Sequence, residues 1–239
     1  MQSESEDLEW GSPSIVVWTE LQVPIGLESD QQRWIGYFEP LVHAIGHYET
    51  AWARLRVNKD RVILGTWWQG GSPAYRAFQN SPSAQLFRET LADDGITFLT
   101  SYETTFRGGH WFDLVPRYFV TIFWVYFKAP VTEAQKREVG NGDGIRPPAI
   151  LRPRPNELLS PKPPVQLWAL HNEYLHGEEV HSLLWPHFWR DEEASLFRHV
   201  KFWTGTGETY LETFHRFLRD TGAMEVKEDY CEFKKLVPI

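Results

Sequence analysis

Apolar and polar positions in the first half of the chain follow two periods, one of two residues and one of about 3.6. "SIVVWTELQV" (14–23) is dense in β-branched and aromatic residues and reads as a strand. The spacing of Trp34, Phe38, Leu41 and Val42 predicts a helix over Gln31–Ala44, with Ser29 or Asp30 as its cap. "HYETAWARLRV" (47–57) alternates as far as the turn signal "NKD", and "RVILGTWW" (61–68) returns as the second arm of a hairpin. Short helices are expected from Ser72-Pro73 and from Ser81-Pro82 to Leu91, each with proline in a first-turn position. A long strand, "ITFLTSYETTF" (96–106), closes the series. Strand, helix, strand, strand, helix, strand is the order of a ferredoxin-like unit.

The second half repeats that order. "RYFVTIFWVYFK" (117–128) is a strand and "TEAQKREVG" (132–140) a short helix. Residues 141–163 form a Pro/Gly-rich insertion that cannot be regular throughout. "VQLWALHNEYL" (165–175) and "VHSLLWPHFW" (180–189) make the next strand pair, with Pro186 marking a bulge or a partly free edge. Helices near 191–203 and 208–219 precede a last strand over 223–236. The pattern therefore predicts an α+β chain of two repeats with antiparallel sheets. Residues 13–112 form the first repeat and 113–239 the second, behind a flexible tail over 1–12.

Composition narrows the partners. A formal charge of −8 with no dense basic stripe argues against a nucleic-acid surface. The longest apolar run, "YFVTIFWVYF" (118–127), is too short to span a bilayer, and the acidic start "MQSESEDLEW" is not a secretory signal. A single cysteine, Cys231, excludes an internal disulfide framework and suits a reducing, cytoplasmic setting. The twelve tryptophans are too many for core packing alone, because each large ring also needs a partner for its N–H.

The stretch "GTWWQGGSPAYRAFQNSPSAQLF" and the long strand after it resemble the dimeric α/β-barrel (ABM-type) superfamily, over nearly the whole chain as two tandem repeats. That resemblance implies two ferredoxin-like sheets packed face to face around a cavity, here within one chain as a pseudo-dimer, in a monomer or a homodimer. It implies several chemistries: cofactor-free oxygenation of aromatic polyketides, cyclisation or isomerisation of natural-product intermediates, and haem reactions. Stand-alone members resembling this pattern occur in fungal biosynthetic gene clusters. The expectation taken from it is an enzyme without metal or nucleotide cofactor, acting on a hydrophobic polyketide or terpenoid intermediate as a cyclase or pericyclase of Diels–Alder type. Three alternatives stand beside it. One is a cofactor-free monooxygenase. Another is a haem protein like the aldoxime dehydratases, whose axial histidine His199 would represent in "HFWRDEEASLFRHV". The last is a non-catalytic barrel that binds small molecules.

In such a fold each strand turns one row to the helices and the other to the cavity. Ile15, Val17, Leu21 and Val23 make the apolar row of the first strand, leaving Val16, Trp18, Glu20 and Gln22 inward. On the second strand Ala51, Ala53, Leu55 and Val57 suit the helix side, leaving Tyr48, Thr50, Trp52 and Arg54 inward. By analogy Trp168, Leu170, Asn172 and Tyr174 face in from the second repeat, with Trp124 and Tyr126, and with the row His181, Trp185, His187 and Trp189. Of the tryptophan pair, Trp68 is expected in the core and Trp67 on the cavity wall. Aromatic walls with sparse polar groups suit a hydrophobic small molecule. Glu20 and Arg54 are expected to meet as an ion pair or a carbonyl clamp, with Asn172 as a further polar group. His187 is the expected proton shuttle. The series His171, His176, His181, His187 matches no metal-ligand spacing, so no metal is expected.

Overall fold

The computed structural model describes residues 13–27, 31–106, 111–147, 159–160, 162–201 and 207–236. The expected tail over 1–12, most of the insertion beyond Pro147 and Trp203 lie outside them. The chain forms two compact units, Met1–Arg107 together with Lys234–Ile239, and Gly108–Phe233. No helix among the described residues is long and apolar enough to cross a membrane.

In the first unit, β1 (Ile15–Gln22), α1 (Gln31–Val42), β2 (His47–Arg54), β3 (Arg61–Trp68), α2 (Gly71–Gln79), α3 (Pro82–Asp93) and β4 (Thr97–Thr105) follow the ferredoxin-like order. The expected elements agree closely, and the antiparallel sheet runs β2-β3-β1-β4. Trp34, Phe38 and Leu41 descend one face of α1 and meet Ile15, Val17, Leu21, Val62, Leu64 and Trp68 from the sheet. Ser81 caps α3 by accepting the Ala84 amide, with Pro82 at the first helical position.

In the second unit, α4 (Trp111–Leu114) leads into β5 (Phe119–Lys128), α5 (Glu133–Gly140), β6 (Leu167–Trp168), β7 (Glu173–Leu175), β8 (Glu178–Trp189), α6 (Glu192–Ser195), α7 (Tyr210–Asp220) and β9 (Ala223–Glu232). Its antiparallel sheet runs β6-β8-β5-β9, the same ferredoxin-like order. Phe119, Phe123, Val125 and Phe127 of β5 pack with Val139 of α5 and with Phe214 and Leu218 of α7. Thr209 and Glu212 close a capping box at the start of α7.

Four expectations change. The strand over 165–175 breaks into β6 and β7, because Leu170, His171 and Asn172 form an exposed turn between them. The helix over 191–203 is only α6 followed by a 3-10 turn, Leu196–His199. The last strand stops at Glu232, and β10 (Lys234–Lys235) pairs with β2 of the first unit at Trp52 and Ala51. Pro186 lies inside β8, whose pairing with β5 runs on without a shift. Its carbonyl accepts the Val165 amide on the side beyond the end of β6, so the missing N–H removes no bond from the ladder.

Candidate functional site

Strand register sorts the expected site residues between the two faces of each sheet. In the first unit the face away from the helices carries Val16, Trp18 and Glu20 on β1. Beside them lie Arg61, Ile63, Gly65 and Trp67 on β3 and Thr100, Tyr102 and Thr104 on β4, all in cross-strand register. Trp18 stands between Tyr102 on one side and Gly65 on the other. Trp67 stacks on Phe106 at 4.2 Å and meets the edge of Tyr48 at 4.3 Å. Trp68 turns to the helices and is wholly buried. Trp18, Ile63 and Tyr102 are buried as well.

The polar content of this face is concentrated at one end. Arg61 Nη1 donates to Glu20 Oε1 at 3.0 Å, and Gln22 Nε2 donates to Asp60 Oδ2 at 3.0 Å. Glu20 does not pair with Arg54. The sheet order places β3, not β2, beside β1, and Arg54 spends its guanidinium on the carbonyls of Lys59 and Leu27. A bulge between His47 and Glu49 inverts the expected rows of β2. Trp52 therefore belongs to the helix side, stacked on Trp34 at 4.7 Å, while Ala51 and Ala53 share the row of Gly65 and Ile63. Tyr48, at the bulge, is 54% exposed.

In the second unit Trp124 and Tyr126 lie on the helix-free face with Leu184, Phe188, Asp229 and Cys231. Lys227 sits 4.9 Å from the Tyr126 ring, and Asp229 is buried, its Oδ1 accepting the Tyr230 amide. The other expected residues are elsewhere. Trp168 and Trp185 face the helices, because they pair opposite Leu183 and Phe123 of the core row. Asn172 lies in the exposed turn and holds His181 Nδ1 at 2.7 Å, and Tyr174 is 78% exposed.

His187 also faces the helices. Its Nδ1–H donates to the Trp185 carbonyl and its Nε2 accepts the Ile145 amide, each at 3.0 Å. Both nitrogens are engaged and the ring is buried, so His187 has no lone pair left to shuttle a proton. It anchors the start of the insertion instead. Burial holds its pKa at about 3, against an ordinary value of 6.5. A depressed folded-state pKa contributes stability in full above pH 6.5 and loses it as the pH falls toward 3, by about 1.4 kcal/mol per unit. Urea unfolding at pH 6, 5 and 4 should show stability declining more steeply in the wild type than in His187→Gln, by about 1 kcal/mol per unit. Equal slopes would refute the anchoring role.

His199, the axial ligand that the haem alternative would use, ends a one-turn 3-10 helix and is exposed. Among the described residues no group of three or more His, Cys, Asp or Glu is placed to hold a metal ion.

Sequence reasoning missed Arg61, Tyr102 and Asp229. Arg61 and Tyr102 carry a readable signal, the alternation that continues from Ile63 and Thr104 on strands flanking β1. Asp229 follows from alternation with Cys231 only once the face of β9 is known.

No family model and no curated protein matches the chain. Solved structures do. An anthrone oxidase-like protein matches at 12% identity with a TM-score of 0.55, covering 95% of this chain and 95% of its own. A candidate monooxygenase from Fusobacterium nucleatum matches at 11% identity and a TM-score of 0.51, covering 94% of each chain. Another, from Lactobacillus acidophilus, matches at 10% identity and a TM-score of 0.50, covering 95% of each. At such identities the likeness is one of fold. What they share with this chain is a mixed α+β fold with antiparallel sheets.

Proposed function

We propose that this chain is an enzyme acting on a hydrophobic, ring-bearing small molecule, and that its reaction is oxygenation by dioxygen. The observation that carries this is the helix-free face of the first sheet. Half-buried Trp67, between Phe106 and Tyr48, supplies ring surface there, Trp18 and Tyr102 lie buried on the same face, and the Glu20–Arg61 pair supplies charge at one end. Rings give shape and a sparse polar group gives orientation, which is how apolar ligands are held. The fold likeness to an anthrone oxidase-like protein and to candidate monooxygenases supports oxygenation over the cyclisation expected from sequence.

The chemistry suits such a face. When a methylene flanked by aromatic rings loses a proton, the carbanion spreads its charge over the rings and can pass it to dioxygen. One oxygen atom becomes the new carbonyl and the other leaves as water with the two methylene hydrogens. The protein must position the ring and take the first proton, and Glu20 is the carboxylate on this face for that step.

With an anthrone as substrate, oxygen uptake should match quinone formation one to one. Glu20→Gln should lower kcat by about 10²- to 10⁴-fold, the usual contribution of a positioned base, with an unchanged melting temperature. Wild-type turnover in Glu20→Gln would remove the base from the proposal. Turnover of a polyene or polyketide intermediate under argon, without oxygen uptake, would return the protein to cyclisation.

A further inference from the structure

On the helix side of the first sheet, three electron-rich rings touch in series and end at an ion pair on the surface. Trp52 of β2 stacks on Trp34 of α1 at 4.7 Å between ring centroids, and Trp34 meets Tyr37 edge-on at 5.3 Å. All three rings are buried. The Tyr37 hydroxyl donates to the carboxylate of Asp94 and accepts from Arg33 Nε at 2.7 Å. Arg33 and Asp94 also pair with each other, and their side chains are 45% and 33% exposed. Rings in contact can exchange electrons without any opening for a ligand.

Where a proton can go gives this series a direction. Trp34 Nε1 is shut off from solvent with no hydrogen-bond partner among the described residues. A Trp34 that has lost an electron therefore has no base for its N–H proton, and it stays a strongly oxidising radical cation. Tyr37 is the opposite case, because its proton already faces a carboxylate and an oxidised phenol is a strong acid. Burial first, and then the hydrogen bond to Asp94, hold the resting phenol above its ordinary value of 10, so it keeps its proton until it is oxidised. At the other end Lys234 lies 5.0 Å from the Trp52 ring, and its charge disfavours a second positive charge there. Arg33, 6.0 Å from the Tyr37 centroid, raises no such barrier, because Tyr37 becomes a neutral radical once its proton has left.

We infer that Trp52, Trp34 and Tyr37 form an electron-transfer chain that carries oxidising equivalents out of the core and ends as a neutral tyrosyl radical at Tyr37. A one-electron oxidant, a reactive oxygen species, takes an electron from Trp52 and is reduced. Trp34 refills Trp52, and Tyr37 refills Trp34 while its phenolic proton passes to Asp94, so both tryptophans end closed-shell. A small thiol or ascorbate then returns one electron to Tyr37, and Asp94 returns the proton. In an enzyme that handles dioxygen the chain spares the core from oxidation. That use rests on the oxygenation reading, whereas the chain itself does not.

A second pair of rings supplies the control. Trp68 and Tyr75 lie 5.4 Å apart, but the Tyr75 hydroxyl bonds to Gln79 and Ser101, neither of which is a base. The test is ultraviolet laser photoionisation of tryptophan in the full-length protein, read by transient absorption and by electron paramagnetic resonance of freeze-trapped samples. In the wild type a tyrosyl signal should grow as the tryptophan radical decays. Tyr37→Phe should lose the largest part of that signal and lengthen the life of the tryptophan radical, whereas Tyr75→Phe should leave both at wild-type values. Trp34→Phe, which cuts the relay, should resemble Tyr37→Phe. So should Asp94→Asn, which keeps every ring and covers the case of a ring variant that folds poorly. A wild-type tyrosyl yield in Tyr37→Phe or Trp34→Phe, or equal losses in Tyr37→Phe and Tyr75→Phe, would overturn the chain. A wild-type yield in Asp94→Asn would overturn the proton acceptor that gives it direction. Light replaces the natural oxidant here, so these outcomes are independent of substrate and oxygen, and wild-type turnover in Glu20→Gln would leave the chain standing.

Discussion

Gly144→Val should cost the second unit about 3 kcal/mol or more. Gly144 has φ +66°, a conformation that a β-branched residue adopts only under strain. Space forbids the change as well. A Cβ there would stand 2.6 Å from His187 Nε2 and 3.0 Å from the Pro164 ring. The atom it would strike is the one that accepts the Ile145 amide. His187 cannot retreat, because Phe123 lies 4.9 Å and Phe214 5.4 Å from its ring. The substitution thus either breaks the His187–Ile145 bond, leaving a buried N–H and a buried imidazole unpaired, or pushes the loop off the sheet. Each unpaired group costs about 1–3 kcal/mol, in addition to the backbone strain. Thermal melting followed by near-ultraviolet dichroism should show a clear fall in Tm. A Tm within 2 °C of wild type would mean that the loop is not held there.

Why the sequence reached some of this and not the rest can be traced residue by residue. β1 was readable because its two rows differ in kind: Ile15, Val17 and Leu21 against Trp18, Glu20 and Gln22. The same contrast separated Trp68 from Trp67. β2 misled because both of its rows are plausible on the helix side. Hydrophobicity favours Ala51, Ala53 and Leu55, but the space beneath α1 is filled by Trp52 stacking on Trp34, a contact between residues eighteen apart. Nothing local announces it, and the bulge beside Tyr48 sets the phase. β8 gave no contrast, since all ten residues from Val180 to Trp189 are buried. Period two then fixes which residues share a row without saying which way the row faces. His187 was therefore grouped correctly with Trp185 and assigned to the wrong face. Arg61 was missed through strand order: the ferredoxin-like sheet sets the third strand beside the first, so the arginine opening β3 is the one Glu20 meets.

The C-terminal strand was misread for a similar reason, and it supports the other large effect: Leu236→Asp should destabilise the first unit by about 3–5 kcal/mol while leaving the second unit's strands protected. The sequence reads as one strand from Ala223 to Leu236, yet the chain leaves one sheet at Glu232 and joins the other two residues later. What holds it there is specific. Leu236 is 4% exposed within the core that contains Trp34, Trp52 and Leu64, and its amide donates to the Thr50 carbonyl at 3.0 Å. Lys234 lies 5.0 Å from the Trp52 ring, and Lys235 Nζ reaches the buried carboxylate of Glu49 at 2.7 Å. Truncating a buried leucine typically costs about 2–5 kcal/mol, and a carboxylate in its place adds a desolvation penalty. With β10 released, β2 becomes an edge strand with open backbone groups above the Trp34–Trp52 stack. Hydrogen exchange should therefore accelerate in a peptide covering His47–Arg54 and stay at its wild-type rate in one covering Phe119–Lys128. Equal protection of both peptides in the variant would show that β2 does not depend on the strap. Acceleration in both would show that the two units unfold as one cooperative body, so the pair of peptides measures how far the stability of one unit is separable from the other.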